Sequence, residues 1–196
     1  MAYYWARFER NNGNIYRYDT RIYIDDIDKI LDTDECIGSI VGKNPGSALP
    51  KNGVFDKICE IDLRNDKLLP TVRNLIKKGN PKLGERKYIQ VLNLFYLCNP
   101  DLEEAIKDYE TSLSPRICSA EQKKVPWVWF MWGGFNKSLQ ENKKRFKDIS
   151  TPIKFYLDNR TKTIVEGLPE ERVCAKHTQG MQHDLVIPYL AKVLQR

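Results

Sequence analysis

The sequence predicts an α/β protein: one three-layer α/β/α domain with a largely parallel central sheet and an added N-terminal β-hairpin. Three observations predict it. The apolar runs "CIGSIV", "YIQVLNLFYL", "VPWVWFMW" and "PIKFYLD" are continuous rather than alternating, as strands buried on both faces are. Segments of helical character separate them, the order of β-α units. Near the N-terminus an "NNGN" turn divides two strand-like stretches, a hairpin signal.

In chain order, residues 3 to 24 read as paired strands around Asn11–Asn14, followed by an acidic connection from Asp25 to Glu35. The first buried strand runs from about Cys36 to Val41 and stops at the polar turn "GKNPGS". In "DKLLPTVRNLIKKG" a helix is expected from about Leu69, with lysines in its last turn and Gly79 as its stop. After the second buried strand, Asp101 caps a helix over "DLEEAIKDYE". The third buried strand closes at Gly133-Gly134, "FNKSLQENKKRFKD" reads as a basic helix, and "PIKFYLD" is the fourth strand. The tail "DLVIPYLAKVLQR" turns helical. The expected organisation is a single domain over 1–196, with hairpin and acidic connection in 1–35 and the core in 36–190.

With 196 residues and 41% hydrophobic content the chain can bury one core. Lys and Arg outnumber Asp and Glu by 32 to 26, a formal charge of +6, which permits a polyanionic partner. The N-terminus lacks the apolar centre of a signal peptide, and no run approaches the ~18 apolar residues of a membrane span. A soluble cytoplasmic protein, without membrane association and monomeric, is expected. The five cysteines form no CxxC pair and are odd in number, so neither a disulfide framework nor a zinc site is expected. The acidic "IDDIDKILDTDE" reads as a solvated face rather than a metal site. "GKNPGS" lacks the P-loop spacing, there is no G-x-S-x-G elbow, and no cysteine sits in a nucleophile motif.

Ligands of open α/β sheets bind outside the carboxyl ends of the strands, and three distinctive features fall there. Asn44, in Asn44-Pro45-Gly46, is ordinary turn chemistry or an amide held over a crevice. Asn93, inside an apolar strand, needs partners for both ends of its amide, or reads a nucleobase edge with them. Gly133-Gly134 is the third. The two histidines, His177 and His183, share one late Gly-containing loop, which raises the odds that one is chemical.

Taken together, "GKNP" (42–45), "VLNLF" (91–95), "WVWFMWGG" (127–134) and "QHDLVIP" (182–188) resemble the ordered motifs of the uracil-DNA glycosylase-like superfamily. "GKNPGSA" looks closer to its mismatch-specific branch. The chain is similar, more closely, to an uncharacterised bacterial family with Asn-Pro-Ser/Gly-x-Ala, Asn-Leu-Phe, Trp-Gly and Gly-x-x-His-Pro-Leu motifs. The resemblance spans residues 36 to 190. It departs at Asp184, where the family has Pro, and at Asn44, where the strict uracil enzymes carry a catalytic Asp.

The resemblance implies a glycosylase-like fold, DNA as partner, no cofactor and no metal. It implies monofunctional hydrolysis of an N-glycosidic bond in DNA after the target base leaves the stack. Asn44 would orient the attacking water and His183 would stabilise charge on the departing base or contact the adjacent phosphate, with His177 its rival. Asn93 would hydrogen-bond the base and Phe55 stack on it. Lys43 and Ser47 would hold DNA phosphates, and Leu185 or Ile187 would wedge into the vacated stack. Gly46, where the strict enzymes place a Tyr, would leave room for a larger base, so uracil and a modified pyrimidine of phage DNA are both expected substrates. A non-catalytic nucleic-acid-binding module is the alternative.

Overall fold

The structure, a computed structural model, describes residues 2–112 and 117–195. It opens with strands β1 (Ala2–Asn11) and β2 (Asn14–Ile27). Between them Asn12 and Gly13 both take positive φ, 48° and 82°, the two left-handed residues that match a tight hairpin to the strand twist. There follow β3 (Glu35–Gly42), β4 (Leu49–Pro50), β5 (Ile58–Asp62), α1 (Leu68–Gly79), β6 (Lys87–Asn93) and α2 (Leu102–Thr111). The remainder is β7 (Trp127–Phe130), α3 (Gln140–Lys144), β8 (Ile153–Leu157), β9 (Ile164–Glu166) and α4 (Ile187–Val193).

The strands form one sheet in the order β4-β5-β1-β2-β6-β3-β7-β8-β9. Only β6-β3, β3-β7 and β7-β8 are parallel, and the other five pairings among the described residues are antiparallel. The expected three-layer α/β/α, glycosylase-like domain with a largely parallel sheet is therefore corrected: this is a nine-stranded mixed sheet, mostly antiparallel, with four modest helices. The physical reason lies in the hairpin. It is not an appendage, because β2 pairs antiparallel with β6 over Thr20–Tyr23 and continues the sheet into β1, β5 and β4. The predicted basic helix also shrinks, to five α-helical residues between two 3-10 turns.

Alternating side chains of the inner strands feed two apolar cores. Trp127, Trp129 and Met131 point into one with Ile40, Phe155 and Leu157, where Leu69, Val72, Leu75 and Ile76 of α1 and Leu190 and Val193 of α4 cover them. Val128, Phe130 and Trp132 enter the other with Val41, Tyr156, Phe146 and the α2 residues Ala105 and Ile106. This two-sided burial explains why the runs read as continuous rather than alternating. Asp101 caps α2 as expected, accepting from the backbone N–H groups of Glu103 and Glu104. The acidic connection has a structural use: Asp34 accepts from the Tyr23 hydroxyl at 2.7 Å and pairs with Arg86 at 2.6 Å.

Gly38 in β3 is where packing is tightest. A Cβ there would fall inside the indole of Trp127, which is itself fully buried. Gly38→Ala is expected to destabilise the protein by about 1–3 kcal/mol, the cost of overpacking a rigid core. Gly84→Ala, whose Cβ would meet only the Lys87 side chain at 3.7 Å, is expected to stay within ~0.5 kcal/mol. Urea denaturation of the two variants checks the difference.

Candidate functional site

β3 ends at Gly42, and its last carbonyls are taken by the loops that follow its neighbours. The N–H of Met131 donates to Val41 O (2.9 Å), that of Leu94 to Gly42 O (3.1 Å) and that of Phe95 to Lys43 O (3.3 Å). The turn after β3 is thereby fixed against the ends of β6 and β7. A cleft of about 750 Å3 opens beside it, lined by Asn44, Gly46 and Ser47, by Asn65 to Leu68 ahead of and entering α1, and by His177, Thr178 and His183.

Asn44 has a defined orientation. Its Nδ2 donates to the carbonyl of Asn99 at 2.8 Å. Only the NH2 end of an amide can donate to a carbonyl, so Oδ1 is the end left as an acceptor. Ser47 and Gly46 line the same cleft, and a Cβ on Gly46 would meet nothing within 4 Å.

His177 and His183, left as rivals by the sequence, both reach the cleft. They differ in setting. The N–H of Gln179 donates to Nδ1 of His177 at 3.2 Å, which makes Nδ1 an acceptor and leaves the proton of the neutral ring on Nε2. Burial lowers the His177 pKa from its ordinary value, Lys43 lowers it further, Asp66 opposes and Lys176 adds to the lowering. His183 begins a single 3-10 turn and also borders an adjoining cavity with Lys77 and Lys78 of α1.

Asp66 was not singled out by the sequence reading. Its Oδ1 accepts the N–H groups of Leu68 (2.9 Å) and Leu69 (3.3 Å), and its Oδ2 lies 3.4 Å from Nη1 of Arg17, a residue 1% exposed. The signal was present: an Asp just ahead of an apolar helical pattern is a helix-start residue. An Arg flanked by Tyr in "IYRYD", on a strand, is the kind of residue that is buried only when paired.

Four expected residues, Phe55, Leu185, Asn93 and Lys43, are not at the cleft. Phe55 packs against the α1-side core and under the guanidinium of Arg10, 4.6 Å from its centroid, so it does not serve as the stacking platform there. Leu185, with Ile187, is partly buried against the same core, because the segment after His183 turns inward to start α4; neither is a free wedge. Asn93 pairs with Gly42 across β6 and β3 and is 1% exposed. Its side chain lies so close to β3 that a Cβ on Gly42 would stand 2.9 Å from Oδ1. Asn93 is absent from the cleft lining, and its Nδ2 has no hydrogen-bond partner among the described residues. Lys43 leaves the cleft for the Gly133-Gly134 turn, its Nζ 3.5 Å from the position of a Gly133 Cβ.

Among the described residues no His, Cys, Asp and Glu cluster is arranged to hold a metal ion, and no helix is long and apolar enough to cross a membrane. Compared with known protein families, curated proteins and solved structures, the chain matches none.

Burying the unpartnered Nδ2 of Asn93 costs about 1–3 kcal/mol. Asn93→Leu, similar in shape and apolar, is expected to raise stability by about 1 kcal/mol, read as a higher urea midpoint; a fall of that size would show that the amide is satisfied in solution.

The depressed His177 pKa has a sign. Above about 6.5 the ring is neutral in both folded and unfolded chains. As pH falls below that value the unfolded chain takes up a proton first, so stability is lost until the folded pKa is passed. His177→Gln is expected to flatten this part of the stability–pH curve, and side-chain NMR is expected to show His177 titrating below the ordinary histidine range.

Proposed function

We propose that the protein is a monofunctional DNA N-glycosylase of the cytoplasm. It hydrolyses the bond between a flipped-out uracil or modified pyrimidine and its deoxyribose and leaves an abasic site. The observation that carries this reading is that two residues lining one cleft each have one polar end engaged and the other left over: Asn44 keeps Oδ1 as an acceptor and His177 keeps Nε2–H as a donor. Hydrolysis of an N-glycoside needs those two functions on opposite sides of the breaking bond.

In the reaction, Asn44 Oδ1 accepts a hydrogen bond from a water whose oxygen bonds C1′. The C1′–N bond breaks and its electron pair passes to the base. The departing base is anionic and the sugar passes through an oxocarbenium-like state, and only groups that favour those charges accelerate the step. The Nε2–H of His177 donates to the base, and the proton lost by the water goes to solvent. An amide suffices because a cationic sugar needs a positioned water more than a strong base. Asp66, fixed by Arg17 and the first turn of α1, supplies negative charge on the cleft wall. On this reading His183 and Ser47, which line the cleft, contact flanking phosphate.

The cleft volume is within the roughly 300–1,000 Å3 of small-molecule sites. The open space at Gly46 favours a base larger than uracil, which would give the protein a role in defence against phage with modified DNA rather than in repair. One observation favours a second reading: no Phe, Tyr or Trp lines the cleft. A nucleic-acid-binding module without catalysis needs no stacking platform inside it.

The test uses end-labelled single- and double-stranded oligonucleotides carrying uracil, mismatches or modified cytosines, incubated with the protein in EDTA and then treated with hot alkali. Alkali-dependent breaks by wild type, reduced on the order of 10²-fold or more in Asn44→Ala/His177→Ala, are expected. Retarded DNA without breaks would establish the binding module instead.

A further inference from the structure

Two lysines meet at the Gly133-Gly134 turn, neither with an ion-pair partner among the described residues. Lys43 leaves the end of β3 half-buried, and Gly133, at φ +79°, carries no side chain where the Lys43 ammonium sits. Lys143, on α3, is 6% exposed; its Nζ donates to the carbonyl of Gly134 at 3.2 Å and lies 5.9 Å from the Trp132 ring centroid. That single bond uses one of its three donors. Neither lysine has a carboxylate within ion-pair distance among the described residues.

Two ammonium groups withdrawn from water near each other are costly. Burial lowers the pKa of both, and Lys43 lowers that of Lys143 further. The other groups facing them are the Cys174 sulfur, 3.8 Å from the position of a Gly134 Cβ, the exposed Glu171, and His177 and Lys176 on the same segment. Nothing in this set neutralises two positive charges at contact distance. An anion between them would.

We propose that the Gly133-Gly134 turn carries an oxyanion site, in which the ammonium groups of Lys43 and Lys143 hold one phosphate group. Its source rests on the glycosylase reading: the phosphate is that of the DNA backbone next to the nucleotide in the cleft, since Lys43 directly precedes Asn44. Lys43 is the phosphate contact that the resemblance implies, and Lys143, buried on the short basic helix α3, is its partner.

Two arms test this. In the first, inorganic phosphate is titrated into the wild-type protein while the lysine side-chain NMR signals are followed; those of Lys43 and Lys143 are expected to shift together and to saturate. In the second, affinity for a single-stranded oligonucleotide with a tetrahydrofuran abasic analogue is measured against salt. Lys43→Gln and Lys143→Gln are each expected to reduce the slope of log K on log[salt] by about 0.7, and Lys143→Arg to preserve it. Should Lys143→Gln fail to fold, the wild-type titration and Lys43→Gln still decide.

Phosphate shifts with unchanged slopes would keep the oxyanion site and overturn its assignment to DNA. Absence of saturating shifts, with unchanged slopes, would overturn the site itself. Reduced slopes in a protein that releases no base would uphold the site and sink only the catalytic reading.

Discussion

Strand β3 is enclosed on both faces by apolar cores and on both edges by β6 and β7, and this enclosure governs everything at the candidate site. A strand so placed cannot release its terminal carbonyls to water, so the chain must bring donors to them. Met131, Leu94 and Phe95 supply those donors, which fixes the loops after β7 and β6 to the end of β3. Asn142 and Arg145 then hold the second of these loops from outside, through the carbonyl of Leu94 at 2.7 and 3.0 Å. The position of Asn44 is thus a consequence of backbone satisfaction. Two side-chain deletions make the arrangement feasible: Gly38 admits the Trp127 ring, and Gly42 admits the Asn93 amide.

Electrostatics divides the region into two unlike halves. On the α1 side, Arg17 and Asp66 form a buried pair, with the carboxylate also engaged by two backbone N–H groups, so neither charge is left alone. Removing one partner of such a pair costs about 3–5 kcal/mol. This makes the pair a rigid wall joining the N-terminal hairpin to the helix. On the Gly133 side, Lys43 and Lys143 have no such compensation. Natural cores retain uncompensated charge where something else supplies the opposite sign. The contrast is between a compensated pair on one side of Asn44 and His177 and two lysines without a carboxylate partner among the described residues on the other.

Much of the strand pattern was legible. The four continuous runs became β3, β6, β7 and β8, and their parallel pairings reflect the two-sided burial that made them continuous. The hairpin turn and the Asp101 cap were legible because local chemistry sets them. What the sequence concealed was pairing between distant segments. "ICEID" and "IVE" are too short to announce β5 and β9, and nothing in "IYRYDTRIYI" says that its edge meets β6. The sheet becomes mostly antiparallel through the four pairings these segments make, β1-β5, β4-β5, β2-β6 and β8-β9. At the site, Asn44 and the two histidines were visible as polar residues in turn-rich segments. Phe55 and Leu185 are expected from the resemblance, and an order of motifs along the chain does not carry the contacts by which Arg10 covers one and the start of α4 draws in the other. Asp66 was overlooked because its capping role and its cleft position coincide in one carboxylate.

The choice of Asn at position 44 follows from its neighbour rather than from the chemistry alone. The amide is held by donation to the Asn99 carbonyl, whose own side chain organises the start of α2: Asn99 Oδ1 accepts from the N–H of Asp101 at 2.9 Å. An Asp at 44 would set a carboxylate oxygen against that carbonyl at hydrogen-bond distance, with no donor between them. It would either turn away from the position that faces the cleft or take up a proton to restore the bond. In the second case the group left toward the cleft is again a neutral acceptor, as the amide already is. The loop after β6 therefore selects an amide, and with it a site that positions water instead of deprotonating it. On the proposed reading such a site serves an electrophile that becomes cationic as its bond breaks, the property that distinguishes N-glycosides from esters and amides.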